Sequence, residues 1–260
     1  MHSRETVQRA LELKAAGLNH CEISRRMGVS RPTVREWCSG NLPHSFRAKR
    51  LLYGRRPGVG PLCEQCGSGD HQFDRLSTSY AYLLGLYLGD GCISRGPRDV
   101  FRLRIALDKK YPEIIAECAA AMEAVVPWNS VHQQLTPKNY VEVHAYSKSW
   151  PCLFPQHGPG KKHERKIELT DWQEELVALV PALLIRGLIQ SDGCRFINTG
   201  RGGWSAPRYV FTNFSEDIKR IFCQACDRLE LNWTVAPPKS VYVSRKADVA
   251  RLDEFVGPKR

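Results

Sequence analysis

A ten-residue segment occurs twice in this chain, and the repeat restricts the possible folds more than any other feature. Residues 83–92 read LLGLYLGDGC and residues 185–194 read IRGLIQSDGC. The pattern that follows also repeats. Each copy precedes two extended segments (93–107; 195–213), a helix (111–125; 215–229) and a hairpin that ends at 140–143 or 240–243. Such a duplication predicts an α+β fold made of two similar halves joined as a pseudo-dimer.

Small residues recur on one face of each repeated helix. Gly85 and Gly89 in the first copy, and Gly187 and Ser191 in the second, are four positions apart and therefore share a face. A glycine inside a helix costs about 1 kcal/mol relative to alanine, so its repetition at this spacing requires a packing reason. We expect the two helices to meet along these residues with almost no side chain between them.

An Asp-Gly pair closes each copy of the repeat. Gly91 and Gly193 suit a left-handed helix C-cap, and Asp90 and Asp192 come directly before them. An aspartate there faces the unfavourable end of the helix dipole. Two such carboxylates side by side would repel each other by a few kcal/mol at reduced dielectric unless cations lay between them. Magnesium is the natural partner for these oxygen ligands.

These paired segments resemble the motif of the LAGLIDADG homing endonucleases, in the single-chain form with two motif copies, over residues 80–258. The resemblance implies a pseudo-two-fold saddle on double-stranded DNA, and metal-dependent hydrolysis of phosphodiester bonds at a specific sequence, as in intron homing. It assigns Asp90 and Asp192 as catalytic ligands of two or more Mg²⁺ ions. Leu88 and Gln190 replace the motif's earlier acid, which is not the metal ligand in that family.

Basic residues elsewhere in the repeat are candidates for the same chemistry. Lys138 and Lys239 open the last hairpin strand of each half, and His144 lies within the first of these strands. Each is a candidate accessory base or electrostatic partner, and simple phosphate contact or a solvated charge explains them equally well. The loop 158–166 either follows a phosphate backbone or forms a solvated link between the halves.

Arginines alternate with apolar residues along the predicted strands. Arg102 and Arg104 alternate with Phe101, Leu103 and Ile105, which predicts one basic and one apolar face. Arg195 and Arg208 repeat this pattern in the second half. The resemblance implies that these side chains contact bases or phosphates in the major groove.

Residues 1–42 have the pattern of a small helix-turn-helix module. A first helix is expected over residues 5–16, Asn19 and Glu22 form a capping box, Gly28 permits the tight turn, and Ser30 caps a third helix. Residues 22–37 resemble the helix-turn-helix of resolvases and transposases. The alternative is an ordinary three-helix packing module. The resemblance implies that DNA is contacted by three residues on the open side of the third helix, namely Arg31, Thr33 and Arg35.

Residues 43–74 are expected to form a basic linker. Arg55 and Arg56 precede Pro57 and look like a minor-groove arm, although a solvated tether would have the same pattern. Cys63 and Cys66 form a Cys-x-x-Cys pair that offers two thiolates to one zinc ion. His71 is a candidate third ligand, with Cys38 or His44 as more distant fourth ligands. The alternative is a turn with reduced cysteines and no metal. Cys223 and Cys226 lie in a helical apolar pattern and are expected to be core thiols.

Charge and composition narrow the partner and the compartment. The net charge of +11 makes nucleic acid the first partner to consider. No stretch approaches the roughly 18 apolar residues of a membrane span, and the N-terminus lacks an apolar signal region. We therefore expect a cytoplasmic protein that joins the nucleoid when bound to DNA, and the internal pseudo-dimer predicts a monomer. Because the chain begins at Met1 and lacks a His-Asn end, we expect a free-standing protein and not an intein.

The sequence thus predicts a helix-turn-helix module (1–42), the linker (43–74) and an endonuclease domain (75–260) whose halves are about 75–165 and 166–260. The predicted function is sequence-specific cleavage of double-stranded DNA. Two alternatives remain: a non-catalytic transcriptional regulator on the same scaffold, and an RNA maturase. Retention of both aspartates favours the endonuclease.

Overall fold

The computed structural model describes residues 2, 4–39, 63, 66, 71, 73 and 76–259. The chain divides into two compact units, residues 1–58 and 59–260. Within the described ranges, no helix has both the length and the apolar character needed to cross a membrane.

The described part of the N-terminal unit contains three short helices: α1 (Arg4–Ala15), α2 (His20–Met27) and α3 (Arg31–Cys38). The predicted capping box is confirmed, because Asn19 Oδ1 accepts from the Glu22 amide at 3.0 Å and Glu22 Oε2 accepts from the Asn19 amide at 2.8 Å. Gly28 has φ +64° at the turn. Ser30 occupies the predicted N-cap position of α3, but its hydroxyl pairs with Thr33 Oγ1 at 2.7 Å and does not accept from a backbone amide. A small core is formed by Val7, Ala10, Ile23, Val29, Val34 and Trp37.

The second unit repeats one order of elements, which confirms the predicted α+β duplication. The first half contains α4 (Ser79–Asp90), β1 (Gly91–Arg95), β2 (Phe101–Asp108), α5 (Pro112–Val125), β3 (Val131–Leu135), β4 (Tyr140–Ser147) and α6 (Trp150–Leu153). After α7 (Asp171–Leu179), the second half contains α8 (Pro181–Asp192), β5 (Gly193–Thr199), β6 (Ser205–Thr212), α9 (Glu216–Arg228), β7 (Thr234–Ala236), β8 (Ser240–Val243) and α10 (Lys246–Phe255).

Each half contains one antiparallel sheet of four strands. The strand orders are β1-β2-β4-β3 and β5-β6-β8-β7, so the two sheets have the same topology. The registers also correspond, because Gly91 pairs with Ile105 in the first sheet and Gly193 pairs with Phe211 in the second. One face of each sheet packs into a common core with the helices. The other face of the first sheet carries mostly polar side chains, and that of the second sheet carries both polar and apolar ones.

Helices α4 and α8 pack against each other at the centre of this unit. A Cβ atom on Gly85 would lie 2.5 Å from the Leu184 carbonyl oxygen, and one on Gly187 would lie 2.9 Å from the Leu86 amide nitrogen. A Cβ on Gly89 would lie 2.5 Å from the Cβ of Ser191. The two backbones are therefore in direct contact at the first pair of positions, and only glycine fits there.

Both central helices run directly into strands. Gly91 has φ −85° and Gly193 has φ −120°, so the predicted left-handed caps are wrong. Glycine is required at these positions for space and not for its conformational freedom. A Cβ on Gly91 would lie 2.5 Å from the Tyr87 Cα, and one on Gly193 would lie 2.7 Å from the Val210 carbonyl oxygen. The direct helix-to-strand transition places the preceding aspartate beside the first residue of each sheet.

Candidate active site and nucleic-acid interface

The C-terminal ends of α4 and α8 bring Asp90 and Asp192 together. Each aspartate is the last residue of its helix. Because the helices touch along their glycines, the carboxylate of one helix reaches the backbone of the other. A Cβ on Gly89 would lie 3.2 Å from Asp192 Oδ2. The absence of a side chain at position 89 therefore makes room for the opposite carboxylate.

The two carboxyl groups lie in surroundings that disfavour their ionised forms. Desolvation by the surrounding groups, followed by the charge of Asp192, raises the pKa of Asp90 to about 6, although the residue remains exposed to solvent. Burial also raises the pKa of Asp192, and a hydrogen bond donated by Asn213 Nδ2 at 2.7 Å opposes that rise. Loss of both protons therefore leaves a concentration of negative charge that a cation would stabilise.

Two lysines lie at the ends of the same helices. Lys162 Nζ donates to the carbonyl oxygens of Leu88 at 3.1 Å and Gly89 at 2.8 Å. Lys259 Nζ donates to the Ser191 carbonyl oxygen at 3.3 Å. The last carbonyls of a helix lack partners within the helix and carry its negative end, so each ammonium caps one helix directly beside its aspartate.

The lysines act on both carboxylates without forming close ion pairs with them. Burial lowers the pKa of Lys162 to about 8, and the charges of Asp192 and Asp90 oppose this change. Burial also lowers the pKa of Lys259. Among the described residues, the ion pairs within 4.0 Å do not include any between these lysines and Asp90 or Asp192. Carboxylate oxygens thus stay available, and such hard oxygen donors fit the preference of Mg²⁺.

A pocket of about 480 Å³ opens beside Asp192. The loop 158–166 and the segment after β6 line much of it. The loop is fixed by Arg165, which donates to the carbonyl oxygens of Gly158 at 3.0 Å, Gly160 at 3.0 Å and Gln156 at 2.8 Å. Polar residues of the lining include Lys161, Lys162, His163, Arg165 and Asn213. The loop therefore contributes cationic side chains to the wall of the site.

The structure places the predicted accessory lysines differently. Lys138 lies exposed in the turn between β3 and β4 and is not among the groups that shift the pKa of either aspartate. Lys239 lies exposed before β8, with its Nζ 5.4 Å from the centre of the Phe214 ring at the pocket wall. The lysines that do act on both aspartates are Lys162 and Lys259, which the sequence analysis missed. Lys259 directly follows Gly257-Pro258, and Lys162 lies three positions after Pro159, so a lysine shortly after a Gly-Pro pair late in each half is a signal that could have identified them.

The open face of the first sheet carries two arginines that form ion pairs with one glutamate. Arg102 Nη2 donates to Glu142 Oε2 at 2.7 Å, and Arg104 Nη1 lies 3.5 Å from Glu142 Oε1. His144 stacks on His132 with ring centroids 5.4 Å apart, and burial together with Arg102 lowers its pKa. Within the described part of the chain, Arg102 Nε and His144 Nδ1 are buried without a hydrogen-bond partner. This face therefore has unused donor and acceptor capacity.

Only one of the two predicted arginines lies on the open face of the second sheet. Arg208 pairs in register with Phe196, just as Arg102 pairs with Ser94. Arg195 lies on the opposite face and forms a two-pronged ion pair with Asp253 of α10, at 2.7 and 3.0 Å. Arg195 and Arg208 therefore do not share a face as predicted, because side chains alternate along a strand and Cys194 takes the open position.

The three candidate DNA-contact residues of the N-terminal unit lie on one side of α3. Arg31 and Arg35 are exposed and Thr33 is half-buried, whereas Val34 and Trp37 are buried on the other side. Arg55, Arg56 and His44 lie outside the described residues.

The predicted zinc ligands come together with a fourth residue. Cys63, Cys66 and His71 form a cluster with Cys152 of α6, and their ligand atoms all lie within 4.8 Å of one another. The sequence analysis missed Cys152, because it had offered Cys38 or His44 as the fourth ligand. Cys223 and Cys226 are buried in α9, so the prediction that they are core thiols is confirmed.

Comparison with protein-family models gives a match to the N-terminal unit. A family model described as a homeodomain-like domain matches residues 1–40. A search of curated proteins finds no match to the chain.

Solved structures resemble this chain at low identity. A complex of the homing endonuclease I-DmoI with DNA and Mn is 15% identical with a TM-score of 0.49, over 72% of this chain and 99% of that one. The N-terminal LAGLIDADG domain of DUF199/WhiA is 12% identical with a TM-score of 0.42, over 78% and 87%. The homing endonuclease I-WcaI bound to its DNA recognition sequence is 16% identical with a TM-score of 0.45, over 81% and 93%. At these levels the likeness carries no information on activity, which must be argued from this chain's own residues.

Proposed function

We propose that this protein is a sequence-specific endonuclease that hydrolyses double-stranded DNA with a divalent metal, as sequence reasoning predicted. One observation carries the proposal. Asp90 and Asp192 lie together at the ends of two touching helices, and each has a lysine at the end of its own helix. A purely structural helix pair gains nothing from two carboxyl groups with raised pKa values at its negative ends.

Asp90 and Asp192 would hold Mg²⁺ through their carboxylate oxygens, with Asn213 fixing the orientation of Asp192. Bound there, the metal supplies an activated water and stabilises the leaving oxygen. Lys162 and Lys259 would face the negative charge that develops on the phosphate, and their hydrogen bonds to helix carbonyls hold each ammonium in place before reaction. One chain provides both aspartates, so a monomer is sufficient for the site.

The open faces of the two sheets would hold the duplex. Arg102 and Arg208 occupy corresponding positions in the two sheets, and Glu142 orients Arg102 and Arg104. Arginine held in this way can present its remaining N–H groups to base edges or phosphates. The net charge of +11 favours the approach of DNA.

The direct test is to incubate the purified chain with Mg²⁺ and a randomised pool of DNA duplexes, and to sequence the cut ends. We expect one enriched sequence cut at a defined position. The Asp90→Asn protein, purified in parallel, controls for contaminating nuclease. Retention of specific duplexes without any cut ends would contradict the proposal.

A non-catalytic DNA-binding regulator is the second candidate. It is favoured by the hydrogen bonds of Lys162 and Lys259, which would cap helices usefully in a protein without chemistry. The same experiment separates the two functions, because a regulator enriches a sequence and leaves it intact when Mg²⁺ is present.

The N-terminal unit is proposed to add affinity for DNA through the exposed side of α3. Replacing both Arg31 and Arg35 by alanine should weaken binding of the target by roughly 10-fold or more, while the cleavage rate at saturating protein stays unchanged. Binding titrations and single-turnover assays measure the two quantities. The replacement of Arg9, an exposed arginine of α1 paired with Glu12, by alanine serves as the control. Equal losses in both variants would remove the recognition role.

Cleavage should have a bell-shaped pH dependence when Mg²⁺ is limiting. Because the pKa of Asp90 is raised, it stays protonated up to about pH 6, and the rate should rise as that proton is lost. Because the pKa of Lys162 is lowered, its positive charge disappears above about pH 8, and the rate should then fall.

Lys162→Arg tests the basic limb, since arginine stays charged throughout this range. The decline above pH 8 should be lost in this variant and kept in Lys161→Arg, where the neighbouring lysine is exposed. Identical basic limbs in all three proteins would mean that Lys162 does not supply this charge.

A further inference from the structure

We propose that Cys63, Cys66, His71 and Cys152 bind one structural zinc ion that ties the cysteine pair of the linker to the first half of the second unit. This metal site shares no residue with the paired aspartates and is independent of cleavage. Its ligands are three sulfur atoms and one nitrogen atom.

The distances match those of a tetrahedral zinc site. Zinc bonds to sulfur at about 2.3 Å, so two sulfurs at corners of one tetrahedron lie ~3.8 Å apart. Cys63 Sγ and Cys152 Sγ are 3.7 Å apart, and Cys66 Sγ lies 3.3 Å from His71 Nε2. A disulfide would need about 2.05 Å between the sulfurs. These two distances fit a tetrahedral site, and all four ligand atoms lie within 4.8 Å of one another.

The donor set selects zinc over the metal proposed for the aspartates. Three thiolates and an imidazole are soft to borderline ligands arranged as a tetrahedron, whereas Mg²⁺ prefers oxygen donors in an octahedron. Four protein ligands leave no open position for water, which is typical of a structural and not a catalytic zinc. Within the described part of the chain, no other group of three or more His, Cys, Asp or Glu side chains is clustered in this way.

A metal in this cluster would join half-buried residues of the linker to a buried thiol of α6. Cys152 is buried in α6, while Cys63, Cys66 and His71 are half-buried. Next to His71 in space, Phe73 stacks on Trp172 with ring centroids 4.4 Å apart. An ion held by all four ligands would join the linker residues to α6, which follows them by 80 to 90 positions. Closing so long a loop removes much of the freedom of the unfolded chain.

The same contacts lead to the helix that carries Asp90. Leu153, the residue after Cys152, accepts a hydrogen bond from the hydroxyl of Tyr80, which lies in the first turn of α4. Gln173 Nε2 donates to the same hydroxyl at 2.6 Å. Trp172 also lies against Tyr80, with ring centroids 5.2 Å apart. Loss of the metal should therefore loosen the start of α4 as well as the linker.

The test measures zinc in the full chain, purified without chelator, by elemental analysis. We expect about one equivalent per chain in the wild type, and almost none in Cys152→Ser or Cys63→Ser. Cys118→Ser is the matched control, because this thiol is fully buried in α5 outside the cluster. It should keep the zinc even if the substitution lowers stability. Cys63 is half-buried, so its variant keeps the test valid if Cys152→Ser fails to fold.

Cobalt gives an independent measurement. Co²⁺ added to the reduced, metal-free protein should produce the visible absorption bands of tetrahedral thiolate coordination, and Cys152→Ser should weaken them. Three results would overturn the proposal: wild-type protein with neither zinc nor cobalt bands, full zinc content in both serine variants, or a Cys63–Cys152 disulfide in the freshly isolated chain.

Discussion

Asp90→Asn and Asp192→Asn should each lower the rate of double-strand cleavage by about 10³-fold or more. An amide keeps the size of the side chain but removes the charge that binds a divalent ion, and a loss of about 4 kcal/mol in transition-state stabilisation corresponds to this factor. Single-turnover cleavage of the selected target measures the effect. DNA binding without metal should stay within a few-fold of the wild type. A variant that cuts both strands at the wild-type rate would refute the assignment.

Asp90→Asn should also stabilise the metal-free protein at neutral pH. The folded pKa of Asp90 is raised above its unfolded value, so its contribution to stability is present at low pH and is lost as the pH rises through about 6. Removing the charge should therefore raise the free energy of unfolding by roughly 1 kcal/mol at pH 7.5, a value already reduced for the solvent exposure of Asp90. This gain corresponds to a rise in Tm of about 2–4 °C. Asp99→Asn is the opposite control, because Arg95 lowers the pKa of Asp99. An Asp90→Asn protein less stable than the wild type at pH 7.5 would show that the carboxylate is structurally favourable.

Gly85→Ala and Gly187→Ala should have the largest effects on stability. At an exposed helix position, alanine is better than glycine by about 1 kcal/mol. Here the added methyl would lie 2.5 Å from the Leu184 carbonyl oxygen, or within 3.0 Å of the Leu86 amide nitrogen and the Gly85 Cα. Backbone cannot rotate away as a side chain can, so we expect a net loss of about 2–4 kcal/mol and a fall in cleavage as the aspartates separate.

Thermal and denaturant unfolding of the full chain measure this loss. Gly158→Ala is the control, because its methyl would meet only the Arg165 side chain, at 3.5 Å or more. Gly89→Ala meets a side chain, that of Ser191, and its cost should shrink when Ser191→Gly is added. Gly85→Ala should show no such rescue by Ser191→Gly. An unchanged Tm in both Gly85→Ala and Gly187→Ala would exclude the close helix contact.

The repeat was enough to predict the two halves, their order of elements and the pairing of α4 with α8. These features depend on the periods of helices and strands and on residue size, which are local properties of a sequence. The positions of Asp90 and Asp192 could be predicted for the same reason. Each aspartate is the last residue of a helix, and the small residues of that helix mark the face that contacts the other helix.

Other features depended on which distant segments meet. The face taken by Arg195 follows from strand register, and a shift of one residue reverses every side chain of a strand. The extended conformation of Gly91 follows from its pairing with Ile105 at the start of β1, where the sequence predicts a left-handed cap.

The sequence by itself determined the duplicated α+β unit, the capping box of α2 and the candidate aspartates. Only the tertiary structure brought Lys162 and Lys259 to the helix ends and Cys152 to the cysteine pair. The physical reason is that helix and strand patterns repeat over a few residues, whereas these contacts join loops and helix ends far apart along the chain. Such contacts are set by core packing and loop closure, and neither leaves a period in the sequence.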